Sequence, residues 1–119
     1  MSRIFNPKHL FGAARNSVSG LVFAWKGEQA FRHEVVVLAV LTVLLLVTQK
    51  TWTEWLLVLG GWVAVMVVEL LNSAIEEAFD LVTTEWNAHV KRGKDLASAA
   101  IFLAMIVNFF LWIHVFLLS

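Results

Sequence analysis

Fifteen uncharged residues, Val35 to Gln49, stand between Glu34 and Lys50, and two longer apolar stretches follow. Trp55 to Val68 is uncharged, meets Glu69, and resumes over Leu70 to Ile75; from Leu96 to Ser119 the only ionisable side chain is His114. With Ala30 and Phe31 added upstream, even the first stretch approaches the roughly 20 residues that a helix needs to cross a bilayer. In hydrocarbon every backbone polar group must be paired internally, and no alternating pattern suggests barrel strands. The chain is therefore expected to be an all-α membrane protein of one domain, 1–119, with transmembrane helices over about 30–49, 55–80 and 96–118. Composition excludes the alternatives. The chain is 60% hydrophobic and 15% charged, with a mean hydropathy of +0.77. Soluble domains run near ~45–50% apolar and ~25% charged, and a chain this short cannot hide such an excess in a core. Nine basic residues balance nine acidic ones, so no bulk positive field exists to attract nucleic acid. Cysteine is absent, which excludes a thiolate nucleophile and a Cys-type zinc site.

Residues 1–29 differ from the rest. Pro7 suits a helix start, and Leu10, Ala13, Ala14, Val18, Leu21 and Val22 recur at helical spacing with Arg15, Asn16, Ser19 and Lys26 between them. That pattern predicts an amphipathic helix lying in the membrane surface. Arg3, Lys8, Arg15, Lys26 and Arg32 precede or open the first span, Lys91, Arg92 and Lys94 follow the second, and Lys50 alone lies between the first two. The excess of basic residues on one side predicts a cytoplasmic N-terminus and a periplasmic C-terminus. Trp25 and Trp86 then sit near the inner interface, and Trp52 and Trp55 near the outer one.

The second span holds the unusual residues. Glu69, Asn72, Ser73, Glu76 and Asp80 fall within an arc of roughly 100° at helical spacing, with Glu77 off its edge. A charged side chain in a membrane costs at least ~2.5 kcal/mol, so such a face marks a functional site. Asn72 and Ser73 also suit interhelical hydrogen bonding, and Asp80 suits the inner interface. Further acids, Glu28, Glu34, Glu85 and Asp95, gather on the same side. Carboxylates from different helices match Mg²⁺, a hard cation often bound together with substrate phosphates, and Lys94 offers charge to phosphate oxygens. Asp95 has a simpler reading as the cap of the third helix, with Ser98 three residues on. Gly60 and Gly61 suit close helix packing, whereas Gly93 carries no signal of its own. No P-loop or dinucleotide-binding glycine motif is present.

The stretch Glu69-Leu70-Leu71-Asn72-Ser73-Ala74-Ile75-Glu76 resembles the signature of the prokaryotic diacylglycerol kinase family. Asp80, Glu85, Gly93-Lys94-Asp95 and Ser98-Ala99-Ala100 continue the resemblance, as do Ala24-Trp25 and the segment from Glu28 through Ala30, Phe31 and Arg32 to Glu34. It implies an ATP-dependent, magnesium-requiring lipid kinase of the bacterial inner membrane. Its fold is expected to be a homotrimer of three-span subunits with a surface helix and active sites shared between subunits. By the resemblance, Glu69 is the catalytic base with Asn72 in support, and Glu28 and Glu76 are the metal-binding acids. Glu28, Glu76, Glu85, Trp86, Asn87, Lys94 and Asp95 form the ATP site. Ala13, Ala14, Ser17, Ala24, Trp25, Ala30, Phe31, Arg32, His33, Glu34, Glu69, Ser98 and Trp112 fall along the lipid cleft. His9, Asn16 and Asn87 depart from the arginine, tyrosine and histidine of the common Gram-negative members.

The expected reaction is transfer of the ATP γ-phosphate to diacylglycerol, giving phosphatidic acid. Undecaprenol is the alternative acceptor on the same fold. A small proton-coupled transporter with one essential membrane glutamate is the rival from another class, as is a non-catalytic membrane subunit held together by Asn72 and Ser73.

Overall fold

The computed structural model describes residues 6–119. Arg3, counted among the basic residues above, and the first five residues of the expected surface helix lie outside that range. Four α-helices follow one another: α1 (Pro7–Gly27), α2 (Gln29–Thr48), α3 (Trp52–Val82) and α4 (Ala88–Trp112). The path of α4 continues into a π-helical turn, Ile113–Leu118. There is no strand among the described residues. Three segments, Gln29–Thr48, Trp52–Val82 and Ala88–Leu118, are long and apolar enough to cross a membrane, which makes this a membrane protein of the expected helical class.

Each boundary has a local cause. Asn6 caps α1 by accepting from the Lys8 backbone N–H at 3.0 Å, and Pro7 occupies the first turn, where its missing N–H costs nothing. Glu28 ends α1 in an extended conformation (φ −115°) and at once begins α2. Gln49 closes α2 in the left-handed region, φ 52° and ψ 52°, so the chain reverses within a few residues. Thr51 and Glu54 then form a reciprocal capping box on α3: the Glu54 N–H donates to Thr51 Oγ1, and the Thr51 N–H to Glu54 Oε1.

The bounds of α3 and α4 differ from expectation. α3 runs to Val82 rather than 80, because the charged side chains after Ile75 end the apolar pattern without ending the helix. α4 begins at Ala88, not near residue 96. Its cap is Asn87, whose side-chain oxygen accepts from the backbone N–H groups of His89 (2.8 Å) and Val90 (3.3 Å). Asp95 is therefore no cap; it lies two turns inside α4, paired with Lys91 at 2.5 Å.

Short connections make α2, α3 and α4 antiparallel neighbours. Leu41, Leu45, Val58, Trp62, Val65 and Val115 form the buried core between them. Asn108 fastens α4 to α3, its Nδ2 donating to the Gly61 carbonyl at 3.0 Å and the Ala104 carbonyl at 2.8 Å. The close approach needs glycine at one position of the pair only. A Cβ on Gly61 would stand 2.8 Å from Asn108 Oδ1, whereas one on Gly60 would meet nothing within 4 Å. Gly61→Ala is accordingly expected to destabilise the bundle by about 1–3 kcal/mol through overpacking, while Gly60→Ala leaves it equally or more stable. Denaturant unfolding in detergent micelles checks this, and equal stability of the two variants would disprove the clamp.

Candidate functional site

At 1.5 Å per residue the 31 residues of α3 extend about 46 Å, well beyond a hydrocarbon core of ~30 Å. Counted from Trp52, the crossing portion ends shortly after Glu69, and Glu76, Glu77 and Asp80 project past it. Burial follows the same gradient: Glu69 is 7% exposed, Asn72 and Ser73 are half-buried, and Glu76, Glu77 and Asp80 are exposed. Asn72 Nδ2 donates to Glu76 Oε1 at 3.4 Å, so the amide expected to support the site holds one of its acids.

Glu69 has acidic company from two other places. Glu76 follows it two turns along α3, and Glu28 and Glu34 come from the α1–α2 junction and the first turns of α2. Glu28 is brought in by the α1–α2 junction, which is tied down when the Arg32 guanidinium donates to the carbonyls of Trp25 and Lys26. Glu34 is 4% exposed. Its backbone carbonyl accepts from Trp62 Nε1 at 2.8 Å, and the Trp62 ring packs against Trp112 with centroids 5.5 Å apart. Trp112 is thus linked to the acids through Trp62, although it belongs to α4.

A cavity of about 450 Å³ opens between α1 and α3, lined almost wholly by apolar atoms. From the expected lipid-cleft residues it takes Ser17 and Ala24, and its acids are Glu28 and Glu77. Ala13, Ala14 and Trp25 lie exposed on the same helix α1, Ala13 accepting from the Ser17 hydroxyl at 3.0 Å. Phe31 is buried, whereas Ala30, His33 and Ser98 are exposed and line no described cavity. Sequence reasoning set Glu77 aside as off the acidic arc. The cavity gives α3 a second face turned toward α1, besides the one turned toward α2. The signal was Glu77's position at 80° from Glu69, on the flank nearest Ser73.

The α3–α4 connection holds the remaining site residues. Glu85 and Trp86 are exposed there, and the Glu85 N–H donates to Thr83 Oγ1 at 3.1 Å. The Asn87 side chain is already engaged in capping α4. Lys94 donates to Asp80 across the two helices at 3.3 Å, Asp80 exposed and Lys94 partly so. Such a pair contributes little stability but places a cation beside the acidic end of α3. Gly93, part of the resemblance through Gly93-Lys94-Asp95, has a packing cause. A Cβ there would run into the Phe79 ring, so glycine lets α4 approach α3 where Lys94 meets Asp80.

No group of three or more His, Cys, Asp or Glu side chains converges on one metal position among the described residues. The donor set nonetheless fits magnesium. Glu28 and Glu76 are hard oxygen donors that both act on the space around Glu69, and Mg²⁺ commonly takes one or two carboxylates, completing its shell with water and substrate phosphates. The site thus combines a buried carboxylate, two further carboxylates of the donor type that suits magnesium, a lysine at the exposed end of α3 and an apolar cavity.

The profile of the family described as "Prokaryotic diacylglycerol kinase" matches residues 15–116. A protein named diacylglycerol kinase from Haemophilus influenzae is 36% identical over 87% of this chain and 88% of its own length. A protein of that name from Helicobacter pylori (strain J99) is 41% identical over 88% of this chain and 82% of its own. Another from Escherichia coli (strain K12) is 39% identical over 84% and 82%. With near-complete coverage on both sides and the acidic face of α3 inside the match, the chain belongs to the prokaryotic diacylglycerol kinase family.

Proposed function

We propose that the protein transfers the γ-phosphate of ATP to the free hydroxyl of diacylglycerol, at the inner membrane, with its N-terminus in the cytoplasm. The observation that carries this reading is Glu69 itself, a carboxylate only 7% exposed within an apolar helix long enough to cross a membrane, with Glu76 two turns on where the same face becomes exposed. The acceptor lipid brings its hydroxyl to that depth while its tails stay in the bilayer, and the apolar cavity beside α1 suits an acyl chain. ATP reaches the projecting ends of α3 and α4 from water.

Phosphoryl transfer depends on positioning and charge neutralisation. Glu69 accepts the hydroxyl proton as the lipid oxygen attacks the γ-phosphorus in line; an O–P bond forms, the bond to the β-phosphate oxygen breaks, and ADP leaves. Glu28 and Glu76 would hold Mg²⁺, which supplies neutralisation of phosphate charge when bound. Asn72 keeps Glu76 oriented, and Lys94, freed from Asp80, offers charge to phosphate oxygens. Glu85, Trp86 and Asp95 border the nucleotide. A homotrimer, with sites completed by a neighbouring subunit, fits the exposure of Glu76, Glu77 and Asp80 in the single chain.

Purified protein in mixed micelles is expected to consume ATP when diacylglycerol is present and to release phosphatidic acid, with slower turnover on undecaprenol. Preference for undecaprenol would transfer the reading to that acceptor. ATP use unchanged by either lipid, or none at all, would overturn it.

A further inference from the structure

Gly20 lies in the interior of α1 and lines the cavity between α1 and α3. Nothing in the backbone or the packing requires glycine there. Its φ is not positive, and a Cβ on it would meet nothing within 4 Å. Inside a helix glycine is less favourable than alanine. What the missing side chain leaves is room, and the facing wall of α3 adds two more small side chains, Ser73 and Ala74, beside Leu70.

The dimensions of that room match a fatty-acyl chain. Its volume of about 450 Å³ holds roughly fifteen groups of ~30 Å³, the share of a water molecule in the liquid and close to the size of a methylene. Along α1 its lining runs from Glu28 back to Ser17, about 16 Å at ~1.5 Å per residue, and Gly20 stands about 12 Å from Glu28. An extended chain advances ~1.2 Å per bond, so an octanoyl chain with its ester at the Glu28 end stops about 8 Å in, short of Gly20, whereas a palmitoyl chain reaches about 18 Å and passes it. We propose that Gly20 is a specificity-determining residue: the space it leaves admits a long acyl chain of the diacylglycerol, and a side chain there restricts the enzyme to short ones. This rests on the reading that the lipid hydroxyl reacts beside Glu28 and Glu69, and extends it to the tail of the acceptor.

A competition in mixed micelles tests this. Equimolar dioctanoylglycerol and dipalmitoylglycerol are offered together with Mg·ATP, and the ratio of the two phosphatidic acids formed at early times gives the ratio of their kcat/KM values. Both lipids meet the same molecules, so the ratio does not depend on the fraction of enzyme that is folded. Gly20→Leu is expected to move it toward the short chain by at least ~5-fold, with Gly20→Ala moving it less far; this lies below the ~10–200-fold of a methylene in a pocket reached from water, because a tail refused by the cavity stays in hydrocarbon. Ala74→Leu, which narrows the cavity from α3, should shift the ratio in the same direction. Gly12 lies on the same helix, would also place a Cβ in open space, and lines no described cavity. Gly12→Leu should therefore leave the ratio within ~2-fold of the parent. A parental ratio in Gly20→Leu, or an equal shift in Gly12→Leu, would overturn the assignment. So would a smaller oligomer in Gly20→Leu together with a parental ratio in Ala74→Leu, since the glycine would then serve subunit packing. A parent that phosphorylates neither lipid fails the kinase reading itself; an active parent whose ratio Gly20→Leu leaves unmoved removes only the role of Gly20.

Discussion

Glu69→Gln is expected to reduce turnover by at least ~10²-fold while assembly and nucleotide binding persist. The substitution is nearly isosteric and removes a carboxylate from a position only 7% exposed, so burial predicts a neutral or favourable effect on stability. Loss of activity in a folded protein would then report chemistry rather than unfolding. The magnitude follows from the role: a general base contributes about 10²–10⁴-fold, and an amide cannot accept the hydroxyl proton. Nucleotide affinity should be retained because Glu28 and Glu76 remain. Measuring kcat together with Mg·ATP binding by titration separates these contributions. Turnover within a few-fold of the parent would remove Glu69 from the role.

The second large effect concerns the projecting end of α3. Glu76→Gln should raise the KM for Mg·ATP by ~10-fold or more, since loss or misorientation of metal-site groups costs about 10–100-fold in affinity. Asn72 bonds Glu76 Oε1 at 3.4 Å, and a glutamine at 76 could still accept that bond while lacking the charge. The loss should therefore be partly recovered at high Mg²⁺ concentration. Titration of nucleotide with and without the metal provides the check: unchanged Mg·ATP affinity would show that Glu76 is no ligand.

Much of this was legible in the residues because a membrane demands long apolar runs. Val35 to Gln49 and the stretches around Glu69 and after Leu96 leave no soluble alternative, and the spacing of Glu69, Asn72 and Glu76 alone puts them on one helix face. What escaped is what charge and tertiary pairing decide. Glu76, Glu77 and Asp80 masked the last turns of α3, since hydropathy measures the membrane crossing and not the helix. Asp95 was the more conspicuous capping candidate, but Asn87, eight residues earlier, captured the free N–H groups. The bond from Trp62 to the Glu34 carbonyl depends on the α2–α3 register, and the role of Gly93 on the Phe79 ring opposite it; no local pattern contains either.

Trp62 is the one buried indole among the six tryptophans of the chain, and it hydrogen-bonds α2 while packing on α4. Retained alone, with the other five replaced by phenylalanine, it would be an intrinsic fluorophore seated against the α2 backbone at Glu34. Its emission maximum and lifetime would then register any separation of α2 from α3 in real time, without an attached label.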